Sequence, residues 1–317
     1  MTSDTMNRPQ VIVITGPTAS GKTRLSVEVA HILGGEIVGA DSMQIYKHLD
    51  IGTAKPTAAE MDGVPHHMIG VADPFEDWSV SRYVEEAAKC CDGILARGSV
   101  PIITGGTGLY IESLLSGREF APMGGGTDLR RALEREYDCL GGVEMLRRLA
   151  EFDPISAEKL HANDKKRVVR AFEVYRSTGM TITEHDAESR LVPPRYTSAR
   201  WALTYNDRDT LYERIDRRVD AMLEGGLVGE VRKLIDMGLP AGCTAMQAIG
   251  YKEIAAALRG ECTMDEAVES VKRESRRYAK RQLSWLRRDK ELKWIEWGDK
   301  PDFNSAVQDI STFFSRR

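Results

Sequence analysis

The stretch that most constrains this chain is Val11-Ile12-Val13-Ile14-Thr15 running into Gly16-Pro17-Thr18-Ala19-Ser20-Gly21-Lys22-Thr23. The second half has the spacing G-x-x-x-x-G-K-[ST]. Four apolar β-formers precede it, and Leu25, Val27, Val29, Ala30, Ile32 and Leu33 follow at helical spacing before Gly34-Gly35. Strand, glycine loop and helix together make a phosphate cradle, because glycines let backbone N–H groups close around oxygens and the helix N-terminus adds partial positive charge. Lys22 supplies a full charge, and the Thr23 hydroxyl is placed to ligate Mg²⁺. The loop therefore calls for a ligand with at least two linked phosphates. It leaves open which phosphate compound binds and what chemistry follows.

The pattern repeats downstream. Glu36-Ile37-Val38-Gly39-Ala40 reads as a strand ending at Asp41-Ser42-Met43-Gln44, and a helix over about 80–97 has Ser79 as its cap. Val100-Pro101-Ile102-Ile103-Thr104 is a buried strand, followed by a second glycine turn, Gly105-Gly106-Thr107-Gly108. Strands alternating with helices imply βαβ units and a parallel sheet, whose ligands bind beyond the carboxyl ends of the strands. The phosphate loop, Asp41 and Thr107 all lie just past strand ends, so they are expected to converge on one cleft.

Composition shifts near Arg118. Phe120-Ala121-Pro122-Met123-Gly124-Gly125-Gly126-Thr127 reads as a linker, and Asp128 to Glu188 is helical throughout, with Asp128 capping its first helix. Pro193-Pro194 marks the exit, after which a strand over 200–205 and helices at about 209–224, 226–237 and 265–288 follow. The expected domains are an α/β core, residues 8–118 and 195–317, and an all-helical insertion, residues 119–194.

Lys+Arg 44 against Asp+Glu 48 gives a net charge of −4, so any polyanion site must come from local clustering. Cys90, Cys91, Cys139, Cys243 and Cys262 show no C-x-x-C or finger spacing and read as reduced thiols. Neither a signal-peptide core nor an apolar run of about 18 residues is present, which points to a cytoplasmic protein without a membrane partner.

Several residues could carry chemistry. Asp41 could coordinate Mg²⁺, act as a general base facing a transferred group, or cap a helix. Thr107 could approach a ligand or cap the helix after its turn. Arg214 and Arg218, at i,i+4, can present two guanidinium groups from one helical face, whereas Arg217 lies off that line. Arg167 and Arg170 form a candidate phosphate stripe on the insertion. The helix opened by the capping box Thr263-Met264-Asp265-Glu266 places Arg273, Arg276, Arg277, Lys280, Arg281, Arg287 and Arg288 on one arc. The acid-free look of that arc in a net-acidic chain points to nucleic acid. His66 and His67 have no acidic or cysteine partners at ligand spacing and read as structural.

The blocks 16–23, Ala40-Asp41-Ser42-Met43-Gln44-Ile45-Tyr46, Asp50-Ile51-Gly52-Thr53-Ala54-Lys55-Pro56 and Gly105-Gly106-Thr107-Gly108-Leu109-Tyr110 resemble those of bacterial tRNA dimethylallyltransferases. So do Asn163-Asp164 with Lys166-Arg167-Val168-Val169-Arg170, Arg214-Ile215 with Arg218, Ala248-Ile249-Gly250-Tyr251, and Lys280-Arg281-Gln282-Leu283-Ser284-Trp285-Leu286-Arg287. Gly70 departs from the acidic residue that the resemblance leads one to expect after Pro65-His66-His67. The resemblance implies a P-loop NTPase-like core and dimethylallyl transfer from its diphosphate to the exocyclic amine of the adenosine 3′ of the tRNA anticodon. It further implies that the loop 16–23 holds the donor's diphosphate with Mg²⁺ assisted by Thr23, that Lys22 and Arg218 neutralise the leaving group, that Asp41 is the base, and that Thr107 bonds the base or Asp41. The tRNA anticodon stem-loop would meet Asp41, Ser42, Met43, Gln44, Thr107, Arg130, Lys166, Arg167, Val168, Val169, Arg170, Lys280, Arg281, Gln282 and Arg287, on a monomer. A P-loop small-molecule kinase, an adenylate prenyltransferase and a nucleotide switch that binds nucleic acid remain alternatives.

Overall fold

The computed structural model describes residues 10–117, 126–189 and 191–315. The described chain divides into two compact units, residues 1–115 with 195–317 and residues 116–194. The linker reading at 120–127 falls largely on residues 118–125, outside the described ones.

The first unit is built on a six-stranded, all-parallel sheet. In chain order it holds β1 (Gln10–Thr15), α1 (Lys22–Leu33), β2 (Gly35–Gly39), α2 (Ala58–Met61), β3 (His66–His67), α3 (Val80–Ala96), β4 (Val100–Gly105) and α4 (Gly108–Ser116). The second unit follows with α5 (Gly126–Leu140), α6 (Gly142–Ala150), α7 (Pro154–Lys159), α8 (Lys165–Thr178) and α9 (Ile182–Ser189). The chain then returns to the sheet with β5 (Thr197–Tyr205), α10 (Arg208–Glu224), α11 (Leu227–Asp236), α12 (Tyr251–Leu258), α13 (Met264–Leu286), β6 (Lys293–Trp297) and α14 (Phe303–Ser315). Strand order is β3-β2-β4-β1-β5-β6, so the phosphate-loop strand lies between β4 and β5. Structural neighbours of this sheet carry a P-loop NTPase-like fold.

Alternation on the central strand explains the layering. Ile12 and Ile14 pack on one face with Leu25, Val29, Trp201, Leu203 and Ile310, while Val11 and Val13 pack on the other with Val38, Tyr83, Ile103 and Leu114. Both faces are covered, which is why β1 and β4 read as continuous apolar runs. A third cluster, including Tyr46, Leu49, Leu227, Val231, Tyr251 and Ile254, joins the segment after β2 to α11 and α12. The insertion has its own core of Leu133, Met145, Leu149, Val168, Val169 and Phe172.

Some expectations shift. Asp128 lies in the first turn of α5, which starts two residues earlier at Gly126, so it does not cap that helix. Helices α12 and α14 and strand β6 have no counterpart in the sequence expectation, although Pro301 and Asp302, whose carboxylate accepts the Ser305 N–H at 3.1 Å, precede α14; α9 falls within the stretch expected to be helical throughout. His66 and His67 form the edge strand β3, where the His67 imidazole meets the Glu36 carboxylate at 2.7 Å. All five cysteines are free thiols. No helix among the described residues is long and apolar enough to cross a membrane.

Candidate active site

The loop 16–21 crosses the end of β1 on glycines that the geometry demands. Gly16 sits at φ +148°, and a Cβ there would lie 2.6 Å from the Leu203 carbonyl oxygen of β5. Gly21 opens α1 at φ +90°. Behind the loop, the Trp297 indole donates to the Ser20 carbonyl at 2.9 Å, and the Phe303 ring packs beneath Gly21. Strand β6 and helix α14, both absent from the sequence expectation, therefore brace the cradle.

Three cations gather on the loop. Lys22 Nζ donates to the Pro17 carbonyl at 2.7 Å. Arg218 Nη1 reaches the Thr18 hydroxyl at 3.3 Å, and its Nη2 reaches the Ala54 carbonyl at 3.5 Å. Arg214 Nε points at the Ala19 carbonyl at 3.4 Å, with its guanidinium 5.2 Å from the Tyr205 ring centroid. Arg217 instead faces outward toward Glu213. Burial, reinforced by Arg218, pulls the Lys22 ammonium down to about 7, with Asp41 acting in the opposite sense. Burial also holds the Arg218 guanidinium below its ordinary value. Crowded, desolvated cations are stabilised by an incoming polyanion.

The turn after β2 presents Asp41. Its Oδ1 accepts the N–H groups of Met43 and Gln44 at 2.9 and 3.3 Å, while its Oδ2 accepts no hydrogen bond among the described residues. Asp41 thus fixes a local turn rather than capping a helix, and one of its oxygens stays available. The Gln44 amide is tied to the Thr53 and Ala54 carbonyls at 2.9 and 3.1 Å, so it serves the loop 50–54. That loop is itself pinned by Glu230, whose carboxylate accepts the N–H groups of Asp50, Ile51 and Gly52 and the Tyr251 hydroxyl. No motif marks Glu230, since its role depends on a segment about 180 residues away.

The second glycine turn docks directly on the Asp41 turn. A Cβ on Gly105 would lie 2.1 Å from the Ala40 carbonyl oxygen. Thr107 N donates to that same carbonyl at 3.1 Å, and its Oγ1 accepts the Ser42 N–H at 3.1 Å. Its hydrogen-bond partner is Ser42, not Asp41. Gly70 lies at φ +61°, and a Cβ there would be 3.7 Å from Lys55 Nζ, which is instead engaged by Asp50 and the Tyr46 carbonyl. The missing acid leaves that cation partnered.

The long helix α13 divides its labour. Gln282, expected to meet tRNA, is 6% exposed and faces inward; its Oε1 accepts the Thr18 N–H and its Nε2 donates to the Gly106 carbonyl, both at 3.0 Å. Its angular position on α13 falls on the apolar side, and a lone amide in an apolar stripe is the signal that marks it in the sequence. Tyr278, one turn earlier, lies beside Thr107 and Gln282, and burial with the nearby Asp41 carboxylate pushes its hydroxyl up to about 12. On the outer face the arc is less uniform than its composition suggests. Arg276 donates through Nη1 to both carboxylate oxygens of Asp216 of α10, at 2.5 and 2.6 Å, and Arg277 pairs with Glu274 at 2.7 Å. Lys280, Arg281, Arg287 and Arg288 are exposed. Arg287 is the C-cap of α13, so it and Arg288 follow the last turn rather than lying within it.

Within the insertion, Lys166 and Arg167 are exposed. Arg170 and Arg130 both turn to the buried Glu173, at 2.8 and 3.5 Å. Val168 and Val169 are 0% exposed in the insertion core, so their side chains do not reach a docked RNA, contrary to the sequence expectation. A helix with two basic residues on one face must bury its opposite face, and these valines are that face.

The sequence profile of the IPP transferase family matches residues 44–289, and that of isopentenyl transferases matches residues 9–69. A tRNA dimethylallyltransferase of Acetivibrio thermocellus is 50% identical over 295 residues, 93% of each chain. One from Desulforudis audaxviator is 46% identical over 91% of this chain and 92% of its own. Among solved structures, the tRNA isopentenylpyrophosphate transferase of Bacillus halodurans superposes with a TM-score of 0.73 at 40% identity, covering 97% of this chain and 96% of that one. A eukaryotic dimethylallyltransferase captured acting on tRNA superposes with a TM-score of 0.84 at 29% identity, covering 98% of this chain and 80% of that one. Cradle, carboxylate turn and basic helix thus occur on a chain matched along nearly its whole length, and that chain belongs to the IPP transferase family, alongside the tRNA dimethylallyltransferases.

Proposed function

We propose that this enzyme transfers the dimethylallyl group of dimethylallyl diphosphate to the exocyclic amine of the tRNA adenosine immediately 3′ of the anticodon. The observation that carries the reading is the meeting of a cationic diphosphate cradle with the fixed carboxylate of Asp41. In the transfer, the amine nitrogen forms a bond to the allylic carbon while the carbon–oxygen bond to the diphosphate breaks and its electron pair leaves with the diphosphate. Lys22, Arg218 and the backbone N–H groups of residues 19–23 stabilise that growing charge from preset positions. An adenine amine is a poor nucleophile, because its lone pair is delocalised into the ring. Asp41 takes the amine proton through the oxygen that the turn leaves unbonded. Thr107 and Ser42, bonded to one another, line the approach of the base.

Among the described residues no group of three or more His, Cys, Asp or Glu side chains could hold a metal by itself. This fits Mg²⁺, which commonly takes one or two protein oxygens and completes its shell with substrate phosphates and water. The Thr23 hydroxyl is the protein ligand we assign, and the ion would help neutralise the leaving diphosphate.

An adenine stacked in an RNA loop must be extruded to reach such a site, at a cost of about a few kcal/mol. Lys280, Arg281, Arg287, Lys166, Arg167, Arg130 and Arg170 are the residues we assign to the anticodon stem-loop, and they favour tRNA over free adenylate as acceptor. We assign the enzyme to the cytoplasm, acting as a monomer. Incubation with unmodified tRNA, labelled dimethylallyl diphosphate and Mg²⁺, followed by nucleoside mapping, should place the label on that adenosine without ATP. Label in free adenylate, or none unless ATP is added, would reject the reading.

A further inference from the structure

We propose that Gln282 is a positioning residue that sets the distance between the leaving-group cradle and the turn that presents the base, an inference that rests on the prenyl-transfer reading. Helix α13 carries a buried amide on its apolar side. A buried amide is stable only when its donor and acceptor are both used, and Gln282 uses one of each on two different loops. Its Oε1 takes the N–H of Thr18, the residue whose hydroxyl also meets Arg218, and its Nε2 gives to the carbonyl of Gly106, the neighbour of Thr107. The two loops cap adjacent strands, β1 and β4, which pair through Thr15 and Gly105. Beyond those residues no ladder bond joins them, and the glutamine spans the gap.

The fit is tight. A Cβ on Gly106 would lie 2.1 Å from Gln282 Nε2, and one on Gly108 would lie 2.2 Å from the Trp285 ring, so α13 lies directly on backbone at both points. Displacement at the allylic carbon needs the attacking nitrogen and the leaving oxygen in line across that carbon. One end of this line is set by the loop at Thr18 and the other by Thr107, Ser42 and Asp41. Gln282 bonds the first directly and the second through the residue next to Thr107. A misplacement of about 1 Å between such groups costs on the order of 100-fold in rate. Arg281, its neighbour in sequence, is exposed on the outer side of the same helix. The face assigned to tRNA and the strut are thus parts of one rigid element.

The test uses the full-length protein with Gln282→Met, which keeps length and loses both bonds, and Gln282→Glu, which keeps the acceptor and loses the donor. For Gln282→Met, kcat should fall about 10- to 100-fold while the KM and Kd for tRNA stay within about twofold, measured well below the melting temperature. Amide exchange at Thr18 in the ligand-free protein should quicken in the Met variant and not in the Glu variant, whose carboxylate still accepts that N–H. In Gln282→Glu the donor KM should also rise, because a carboxylate would face the diphosphate. A kcat within twofold of wild type in Gln282→Met, or unchanged exchange at Thr18, overturns the proposal. So does a loss of tRNA affinity that accounts for the whole loss of rate, which would return Gln282 to a direct RNA contact. Failure of the wild-type protein to make any prenylated tRNA would refute the transfer reading alone, since the exchange measurement needs no activity.

Discussion

The depressed Lys22 ammonium makes donor binding a proton-coupled event. With a value of about 7 set by burial and by Arg218, the lysine is half charged at neutral pH before the donor arrives. A diphosphate in contact with Nζ favours the charged form, so the value rises on binding and the enzyme takes up a proton above pH 7. The sign follows: affinity is fully present below pH 7 and is lost as pH climbs toward the raised bound-state value. At pH 8 about nine-tenths of free Lys22 is neutral, so binding takes up ~0.9 proton and the apparent Kd is about tenfold weaker than at pH 6, or about 1.4 kcal/mol. Calorimetric titration of dimethylallyl diphosphate with Mg²⁺, in two buffers of different ionisation enthalpy at pH 8, measures the uptake. Lys22→Arg, which stays charged, serves as control and removes the donor's own ionisation from the comparison; its profile should be flat above pH 7. A wild-type profile that parallels the Lys22→Arg profile, with equal proton uptake in both, would refute the reasoning.

Three further outcomes separate the roles of individual residues. Asp41→Asn keeps the turn's acceptor oxygen and should bind tRNA as wild type does, while transfer falls about 10²- to 10⁴-fold, the range for loss of a general base; wild-type single-turnover rates would remove Asp41 from that role. Arg281→Ala should flatten the slope of log K against log salt for tRNA binding by about 1 without moving the melting temperature. Arg276→Ala should instead lower stability by about 1–2 kcal/mol through loss of its ion pair with Asp216, and leave the salt slope unchanged. The opposite pattern, read by filter binding and thermal melting, would reverse those assignments.

What could be read from the chain alone was whatever its local order dictates. The cradle is a contiguous strand, loop and helix, so its glycines, Lys22 and Thr23 declare themselves without a tertiary partner. The alternation of apolar strands with helices forced a parallel sheet, and the rule that parallel sheets bind ligands at their carboxyl ends already brought Asp41 and Thr107 toward the loop. The i,i+4 spacing of Arg214 and Arg218 foretold that both could serve one surface, and both meet the loop. Tertiary structure decided everything that turns on a partner distant in sequence. Arg276 and Arg281 look alike in the sequence, yet Asp216 on α10 neutralises the first while the second faces outward. Val168 and Val169 sit within a basic block, and only packing against Leu133, Met145 and Leu149 shows that they are core. Gln282 and Glu230 show the same limit. The apolar stripe of α13 marks Gln282 as inward-facing, but which loops it and Glu230 bond is set only when the fold closes those loops around them, because a hydrogen bond between residues 282 and 18 leaves no trace in local periodicity.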